Sequence, residues 1–313
     1  MRQVAAVSCA IALLSTLIAG AERFVTVAPS VRLFVRDEGR GAPIVVLHGG
    51  PGLDSNYLAD DLLPLASRRR VVFFDQRGAG RSSLAGGVTA ETLVEDLEAL
   101  RRQLRFDRLT LLGHSWGAGL AALYAMTYPA RVERLVLVGA MPAQARWLNV
   151  FDANLRDRLS ASDQARLGEA DADWQKASGD VEQIERCRAY WAVLGKAYYA
   201  HPEARSPRSR GNLCAPPGAA LASGRRVNVA VWASLGDFDW RPRLASVRAP
   251  MLLVHGDRDP MPLDAAREWR ARVPSSRLLV VADAGHMPYV EQPDLFFPAV
   301  QTFLDGRWPA AAR

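Results

Sequence analysis

Short runs of apolar residues alternate with segments of helical character along most of the chain. The runs are rich in β-branched and aromatic residues, as buried strands are, and they cover residues 24–27, 31–35, 44–47, 71–74, 109–112, 135–138, 251–254 and 278–281. Helices are predicted over residues 90–104, 118–126, 263–272 and 295–304, the first of them from leucines at three- and four-residue spacing. Apart from a hairpin of the first two strands, this alternation predicts an α/β fold with a mostly parallel sheet and helices on both faces.

The pattern changes between about residues 142 and 244. This stretch is helical and more polar, it is rich in Trp and Tyr, and it ends in a loop that contains Pro207, Pro216 and Pro217. Because the strand pattern resumes afterwards, we predict an inserted unit over residues 142–245. The insertion would divide the sheet-forming part of the chain into residues 22–141 and 246–313.

The first 21 residues have the features of a secretory signal peptide. A positively charged start is followed by an almost wholly apolar run over residues 4–18 and by the small residues Ala19, Gly20 and Ala21. An apolar run of about 15 residues is short for a membrane span, which needs roughly 20. We therefore expect an exported, periplasmic or secreted protein with no stable membrane span after cleavage. An uncleaved anchor and an ordinary first helix are the alternatives.

Composition limits the class of protein. The chain has 313 residues, of which 49% are hydrophobic and 23% charged, and this excludes disordered, collagen-like and polytopic membrane proteins. The basic residues behind the net charge of +6 are almost all Arg, since Lys176 and Lys196 are the only lysines, and they are scattered. Because the sequence has neither a basic stripe nor a recognisable binding module, we expect no nucleic-acid partner.

The first candidate chemistry lies in a G-x-S-x-G motif at residues 113–117. The motif directly follows a predicted strand and opens a predicted helix, which is the setting of a nucleophile elbow. A serine in such a sharp turn needs Gly113 and Gly117 beside it, because residues without side chains let the adjacent elements pack closely. Ser115 is therefore the predicted nucleophile, and a Gly-rich helix start is the structural alternative.

A serine nucleophile needs a base, and the base needs a carboxylate that orients it. Of the five histidines, only His286 lies in a loop after the last predicted strand, which fits the chain order serine, acid, histidine. The loop after the penultimate strand supplies Asp257 and Asp259. We choose Asp259 as the acid, because Asp257 is better placed to cap or turn the loop.

Acyl transfer also needs hydrogen-bond donors for the developing oxyanion. The backbone N–H of Trp116, which follows the nucleophile, is the first expected donor. The second is expected from the loop after the strand at residues 44–47, whose sequence is HGGPG over residues 48–52. Gly50 is the predicted donor there, because Pro51 has no N–H.

Five motifs together resemble the α/β-hydrolase superfamily and, more narrowly, the proline iminopeptidase family of serine peptidases. They are HGGPG (48–52), DQRGAGRS (75–82), GHSWG (113–117), HGDRD (255–259) and AGHMPYVEQP (284–293). The resemblance implies a sheet of about eight strands, a helical cap over the active site, and Ser115, Asp259 and His286 as the triad. It also implies substrates with a free N-terminal residue, commonly proline, whose amine is bound by cap glutamates.

The predicted cap offers several residues for substrate binding. Bacterial relatives often carry a Trp-Glu pair there, whereas no acid follows Trp191 in this chain. Glu182, Glu185 and Glu203 are the acids that we consider for the substrate amine. A group of aromatic residues would line an apolar cleft or pack the cap helices together: Trp174, Tyr190, Trp191, Tyr198 and Tyr199.

These features predict a serine hydrolase that acts on a small molecule or a short peptide. Release of N-terminal proline or another small residue is the first hypothesis. A carboxylesterase or small-amide hydrolase with the same triad is the alternative, and a non-catalytic binding module on the same fold is a remote one.

The three cysteines add two expectations. They lack the spacing of a zinc site, so we expect neither a metal nor a cofactor. Loss of Cys9 with the signal peptide would leave Cys187 and Cys214 as an even pair in an oxidising compartment. We therefore predict a disulfide between Cys187 and Cys214.

Overall fold

A computed structural model of the chain describes residues 20–202, 213–214 and 217–313. The strands are β1 (Ala21–Ala28), β2 (Val31–Gly39), β3 (Pro43–Leu47), β4 (Arg70–Phe74), β5 (Leu109–His114), β6 (Val132–Val138), β7 (Met251–Gly256) and β8 (Ser276–Val281). The helices are α1 (Asn56–Leu62), α2 (Ala90–Gln103), α3 (Trp116–Thr127), α4 (Arg146–Asp157), α5 (Ala161–Lys176), α6 (Asp180–Tyr198), α7 (Gly218–Leu235), α8 (Leu263–Arg272), α9 (Pro288–Glu291) and α10 (Pro293–Leu304). Short 3-10 helices cover Leu63–Ser67, Pro129–Arg131 and Arg241–Ser246.

The strands form one eight-stranded sheet in the order β1-β2-β4-β3-β5-β6-β7-β8. The pairs β1–β2 and β2–β4 are antiparallel, and every pairing from β4 onward to β8 is parallel. The predicted α/β-hydrolase fold with a mostly parallel sheet is confirmed. The sequence pattern missed α1 and α9, because helices of seven and four residues are too short to show a period.

Both faces of the sheet are covered, and β3 shows how. Its side chains alternate, so that Val45 and Leu47 pack into the core under α2 and α3, while Ile44 and Val46 pack into the core under α1 and α10. Such a strand, buried on both faces, is continuously apolar rather than alternating in polarity. The carboxyl ends of the parallel strands therefore meet at one edge, where the loops after β3, β5, β7 and β8 lie.

Helices α4 to α7 lie between β6 and β7 in the chain, inside the predicted insertion. The helix α6 contacts both α5 and α7, so the three pack as a layer. Cys187 of α6 and Cys214 form a disulfide whose Cα atoms are 5.7 Å apart, which confirms the predicted pair. Trp174 packs against this bond, so the disulfide belongs to the apolar interior of the cap.

Most of the predicted signal peptide lies outside the described residues, which begin at Gly20. The strand β1 starts at Ala21, the last residue of the predicted signal. Cleavage stays a prediction. Within the part of the chain that the structure describes, no helix is both long and apolar enough to cross a membrane.

Candidate active site

Ser115 lies in the turn between β5 and α3, at the carboxyl edge of the sheet. Its φ of 56° is in the region that residues with side chains rarely adopt. A Cβ atom at position 113 would lie 2.3 Å from the Gly117 carbonyl oxygen, and one at position 117 would lie 2.1 Å from the Leu47 carbonyl oxygen. Both positions therefore require glycine, as a tight turn between strand and helix does.

His286 and Asp259 lie in the loops after β8 and β7. His286 Nδ1 is 3.0 Å from both carboxylate oxygens of Asp259, and both side chains are buried. Burial by itself would raise the pKa of Asp259, but the interactions with His286 and His255 outweigh it and lower that pKa. The carboxylate is therefore ionised at neutral pH and orients the imidazole ring.

The other ring nitrogen of His286 is available to a group in the cavity. His286 Nε2 is buried and has no hydrogen-bond partner among the described residues, and both Ser115 and His286 line the same cavity. A buried basic nitrogen in this position is suited to accept a proton. Asp257, the other acid of the β7 loop, is exposed and accepts only a 3.4 Å bond from the Ala284 N–H. Of the two acids, only Asp259 reaches His286.

The HGGPG segment, residues 48–52, borders Ser115 on another side, and we call it the oxyanion loop. Gly50 has a φ of 118°, which favours glycine, and it lines the cavity with Ser115. Trp116 is the first residue of α3, where backbone N–H groups have no acceptor within the helix. Its buried indole donates to Gln76 Oε1 at 2.9 Å, which anchors the start of the helix. Trp116 directly follows Ser115 and Gly50 lines the same cavity, and their role as oxyanion donors stays a prediction.

The cap covers part of the cavity above Ser115, whose volume is about 700 Å³. Two aromatic rings of the cap contact His286, with centroid distances of 6.1 Å for Phe151 and 5.2 Å for Tyr198. Most of the other cap side chains that line the cavity are apolar or aromatic: Leu148, Leu155, Leu159, Trp174, Tyr190, Trp191, Leu194 and Trp232. Trp191 therefore lies where the sequence prediction placed it.

Glu182 and Glu185 require a correction, because neither lines the cavity. Glu182 accepts a 2.9 Å bond from the Ser178 N–H at the start of α6, and Glu185 is exposed. The face of α6 that meets the cavity carries aromatic and apolar residues instead, because residues three or four apart share one face of a helix. Glu203 lies outside the described residues.

The carboxylates that do line the cavity are aspartates. Asp171 is paired with Arg225 at 3.1 Å. Asp54 follows the oxyanion loop, and burial together with the charge of Asp75 raises its pKa to about 7. At neutral pH, one of these two carboxylates is therefore neutralised by an ion pair, and the other is partly protonated.

Asp152 is the third of these carboxylates, and the sequence analysis missed it. It forms no hydrogen bond or ion pair with any other residue in the described ranges. Burial raises the pKa of Asp152, and the smaller effect of Arg156 opposes that shift. The signal that points to it is the helical spacing of Leu148, Phe151 and Leu155 in α4, which line the cavity beside it.

Comparisons with known proteins agree with this fold. The family described as the alpha/beta hydrolase fold matches residues 42–293 of the chain. The proline iminopeptidase of Heyndrickxia coagulans is 28% identical over 284 residues, which span 86% of this chain and 93% of that protein.

A solved serine hydrolase involved in carbazole degradation has a TM-score of 0.69 and 21% identity, and the match covers 92% of this chain and 100% of that one. A solved proline iminopeptidase of Mycobacterium smegmatis has a TM-score of 0.64 and 24% identity over 91% of this chain and 98% of that one. Both solved structures share the fold of the present chain.

Proposed function

The chain belongs to the α/β-hydrolase fold family and is a hydrolase, and we propose that it uses Ser115 to release N-terminal residues, proline among them, from short peptides and amides. The observation that carries the proposal is the arrangement at the carboxyl edge of the sheet. Ser115 lies in a strained elbow, Asp259 orients His286, and His286 Nε2 is left without a partner on the cavity that Ser115 lines.

In the proposed mechanism the Ser115 hydroxyl oxygen attacks the substrate carbonyl carbon while His286 Nε2 takes its proton. The carbonyl oxygen becomes an oxyanion, and the backbone N–H groups of Gly50 and Trp116 stabilise it. His286 then gives the proton to the leaving amine as the C–N bond breaks, which leaves an acyl-enzyme. Water attacks the acyl carbon with His286 again as base, and loss of the product acid restores Ser115. Asp259 stabilises the imidazolium in both steps.

An aminopeptidase must also bind the cationic α-amine of its substrate. Asp152 meets this requirement best, because it lines the cavity and forms no hydrogen bond or ion pair with the described residues, although the charge of Arg156 nearby acts on it. It also follows Phe151, whose ring contacts His286. Asp171 is already paired, and Asp54 is partly protonated. A bound ammonium would stabilise the ionised form of Asp152 and lower its raised pKa. We therefore propose Asp152 as the amine-binding carboxylate.

A comparison of four substrates tests the proposal. Prolyl, alanyl and N-acetyl-prolyl amides are assayed beside a short-chain nitrophenyl ester at equal concentrations. We expect acetylation of the amine to remove most of the turnover, because it leaves an ionised cap carboxylate unpaired in the closed site. Fast ester hydrolysis without cleavage of any free-amine amide would contradict the peptidase proposal.

The second candidate function is that of a carboxylesterase or small-amide hydrolase. The apolar and aromatic lining of the cap favours it, because an ester needs an apolar wall and no partner for a cation. The chemistry at Ser115 would be the same. The four-substrate assay separates the two functions, since an esterase would be indifferent to acetylation of a substrate amine.

We also propose that the protein is exported and acts without a nucleic-acid partner. The apolar N-terminal segment supports export, and so does the Cys187–Cys214 disulfide, because disulfides persist in oxidising compartments. Mass analysis of exported material tests this point. A mature chain that begins near Glu22 is expected, and an intact Met1 would count against cleavage.

A further inference from the structure

A continuous chain of buried hydrogen bonds connects the oxyanion loop to His286 through Tyr57 and His114. The Gly49 N–H donates to Tyr57 Oη at 2.7 Å, and Tyr57 Oη lies 2.6 Å from His114 Nδ1. On the other side of the ring, His114 Nε2 lies 3.0 Å from the His286 carbonyl oxygen. Tyr57 is 5% exposed and His114 2%. These bonds are therefore largely shielded from bulk water, and low local polarity strengthens them.

One arrangement of protons satisfies all three hydrogen bonds. A carbonyl oxygen only accepts hydrogen bonds, so His114 Nε2 carries a proton and donates it to the His286 carbonyl. Burial, together with the neighbouring His286, lowers the pKa of His114 to about 3, so the ring is neutral at pH 7 and Nδ1 is an acceptor. Tyr57 therefore donates its hydroxyl proton to His114 Nδ1 and accepts from the Gly49 N–H.

These hydrogen-bonded groups also lie directly against the elbow at Ser115. A Cβ atom at Gly49 would lie 2.8 Å from Tyr57 Oη and 3.1 Å from Ser115 Cβ, so the oxyanion loop is held between the two. His114 is the last residue of β5 and directly precedes Ser115, and its ring centroid lies 4.8 Å from that of His286. A shift of either Tyr57 or His114 would move the oxyanion loop or His286 relative to Ser115.

We propose that Tyr57 and His114 are positioning residues that hold the oxyanion loop and the backbone of His286 in register with Ser115. The inference rests on the proposed serine mechanism. Tyr57 and His114 both border the cavity, but their polar atoms are bonded to Gly49, to each other and to His286, so they act through these groups rather than on the substrate. Their loss lowers the rate of the chemical step and leaves substrate binding nearly unchanged, because a misplacement of about 1 Å can cost on the order of 100-fold in rate.

A matched pair of tyrosine variants tests this role. Tyr57→Phe removes the hydroxyl that bonds both Gly49 and His114 and keeps the aromatic ring. Tyr289→Phe is the control, because Tyr289 is 3% exposed and its ring lies edge-on to His114 at 5.5 Å, whereas its hydroxyl contacts Met287 Sδ. The readouts are the rate at which a fluorophosphonate phosphonylates Ser115, and kcat and KM for a substrate that the wild type turns over. We expect Tyr57→Phe to lose roughly 10- to 100-fold in phosphonylation rate and kcat with KM within about twofold, and Tyr289→Phe to stay near wild type.

A second pair of variants separates hydrogen bonding from ring packing. His114→Gln keeps one donor and one acceptor, whereas His114→Phe keeps an aromatic ring and neither polar atom. The positioning role predicts that His114→Gln phosphonylates about tenfold faster than His114→Phe. A purely packing role predicts that His114→Phe is at least as fast.

The outcomes distinguish this inference from the proposed function. Equal phosphonylation rates for Tyr57→Phe and Tyr289→Phe would overturn the positioning role and leave the serine mechanism intact. A wild-type protein that is not phosphonylated at Ser115 would overturn the proposed function, and this inference with it. If Tyr57→Phe does not fold, the His114 variants decide, and equal rates for that pair overturn the inference.

Discussion

The floor of the cavity, formed by the loops at the carboxyl edge of the sheet, and its roof, formed by α4 to α7, are held by different kinds of contact. On the floor, buried polar groups are bonded to one another, as in the pairs Asp259–His286 and Tyr57–His114. In the roof, aromatic rings contact each other, as Tyr190 and Trp191 do at a centroid distance of 5.5 Å. Hydrogen bonds are directional and hold atoms in register for a reaction, whereas aromatic walls select substrates by shape and polarity.

Floor and roof meet at His286 and at the oxyanion loop. The His286 N–H donates to the carbonyl oxygen of Tyr198 in α6 at 2.8 Å. A Cβ atom at Gly52 would lie 2.0 Å from the carbonyl oxygen of Gly224 in α7, and Asn228 Nδ2 donates to the Pro51 carbonyl at 2.9 Å. The oxyanion loop therefore has a cap helix packed against its backbone. Residues 51–52 and His286 therefore couple the polar floor to the aromatic roof.

The largest expected effect comes from breaking the floor. Ser115→Ala or His286→Ala should lower turnover on the order of 10⁶-fold, and Asp259→Asn should cost less, because the members of a triad act as a unit. Steady-state kinetics on the best amide or ester substrate measures the loss. Asp257→Asn is the matched control from the same loop, and it should retain wild-type turnover because its side chain does not reach His286. Full activity in Ser115→Ala would show that Ser115 is not the nucleophile.

Removal of the disulfide should weaken the roof and spare the floor. Replacing both Cys187 and Cys214 by Ser opens a loop with a sequence separation of 27 residues, which lowers the free energy of unfolding by at most about 3 to 4 kcal/mol in the chain-entropy model. Urea unfolding measures the change, and a reducing agent should destabilise the wild type but not the double variant. In the folded variant the phosphonylation rate of Ser115 should stay near wild type. A large fall in that rate would show that the floor depends on the whole cap.

The selectivity of the roof should depend on one carboxylate. Asp152→Asn should lower kcat/KM for free-amine amides by roughly 10- to 100-fold, because a charge-assisted hydrogen bond is lost, and should leave the acetylated amide and the ester unchanged. Asp171→Asn is the matched control, since its carboxylate is already paired with Arg225. Kinetics on the amide with and without the acetyl group gives the ratio. An unchanged ratio in Asp152→Asn would assign the amine to another group.

The smallest expected effect is a change in how stability depends on pH. Burial raises the pKa of Asp54 from 3.8 to about 7, so the folded state binds more protons than the unfolded state in that interval. Stability from this group is therefore lost as pH rises from about 4 to 7. Asp54→Asn should remove that loss and raise the free energy of unfolding at pH 8 by about 1 to 2 kcal/mol. This is less than the full pKa shift corresponds to, because solvent in the cavity screens the carboxylate. Urea unfolding at pH 4 and pH 8 measures it, and a variant less stable than wild type at pH 8 would contradict the expectation.

The floor could be predicted from the sequence far better than the roof, for a physical reason. The elbow at Ser115 needs glycine at positions 113 and 117, and a strand and a helix on either side, so its constraints lie within a few consecutive residues. The roof depends on which face of each helix turns toward the cavity. That orientation placed Asp152 in the lining and left Glu182 and Glu185 outside it. Helical spacing shows which residues share a face, but which face meets the cavity depends on how the helices pack.

The connections between separate loops were also beyond the sequence. Tyr57 lies in α1, a seven-residue helix without a visible period, and its bond to His114 joins residues that are 57 positions apart. The hydrophobic pattern predicts that β3 and β5 are core strands, but it contains no information on which polar side chains meet at their ends.

Covalent labelling shows directly whether the floor activates Ser115 as a nucleophile. The wild-type protein is treated with a fluorophosphonate, digested, and mapped by mass spectrometry, with Ser115→Ala treated in parallel. A single adduct is expected on the peptide that contains Ser115, and no adduct is expected in the variant. An unlabelled wild type, or an adduct on another residue that persists in Ser115→Ala, would contradict it.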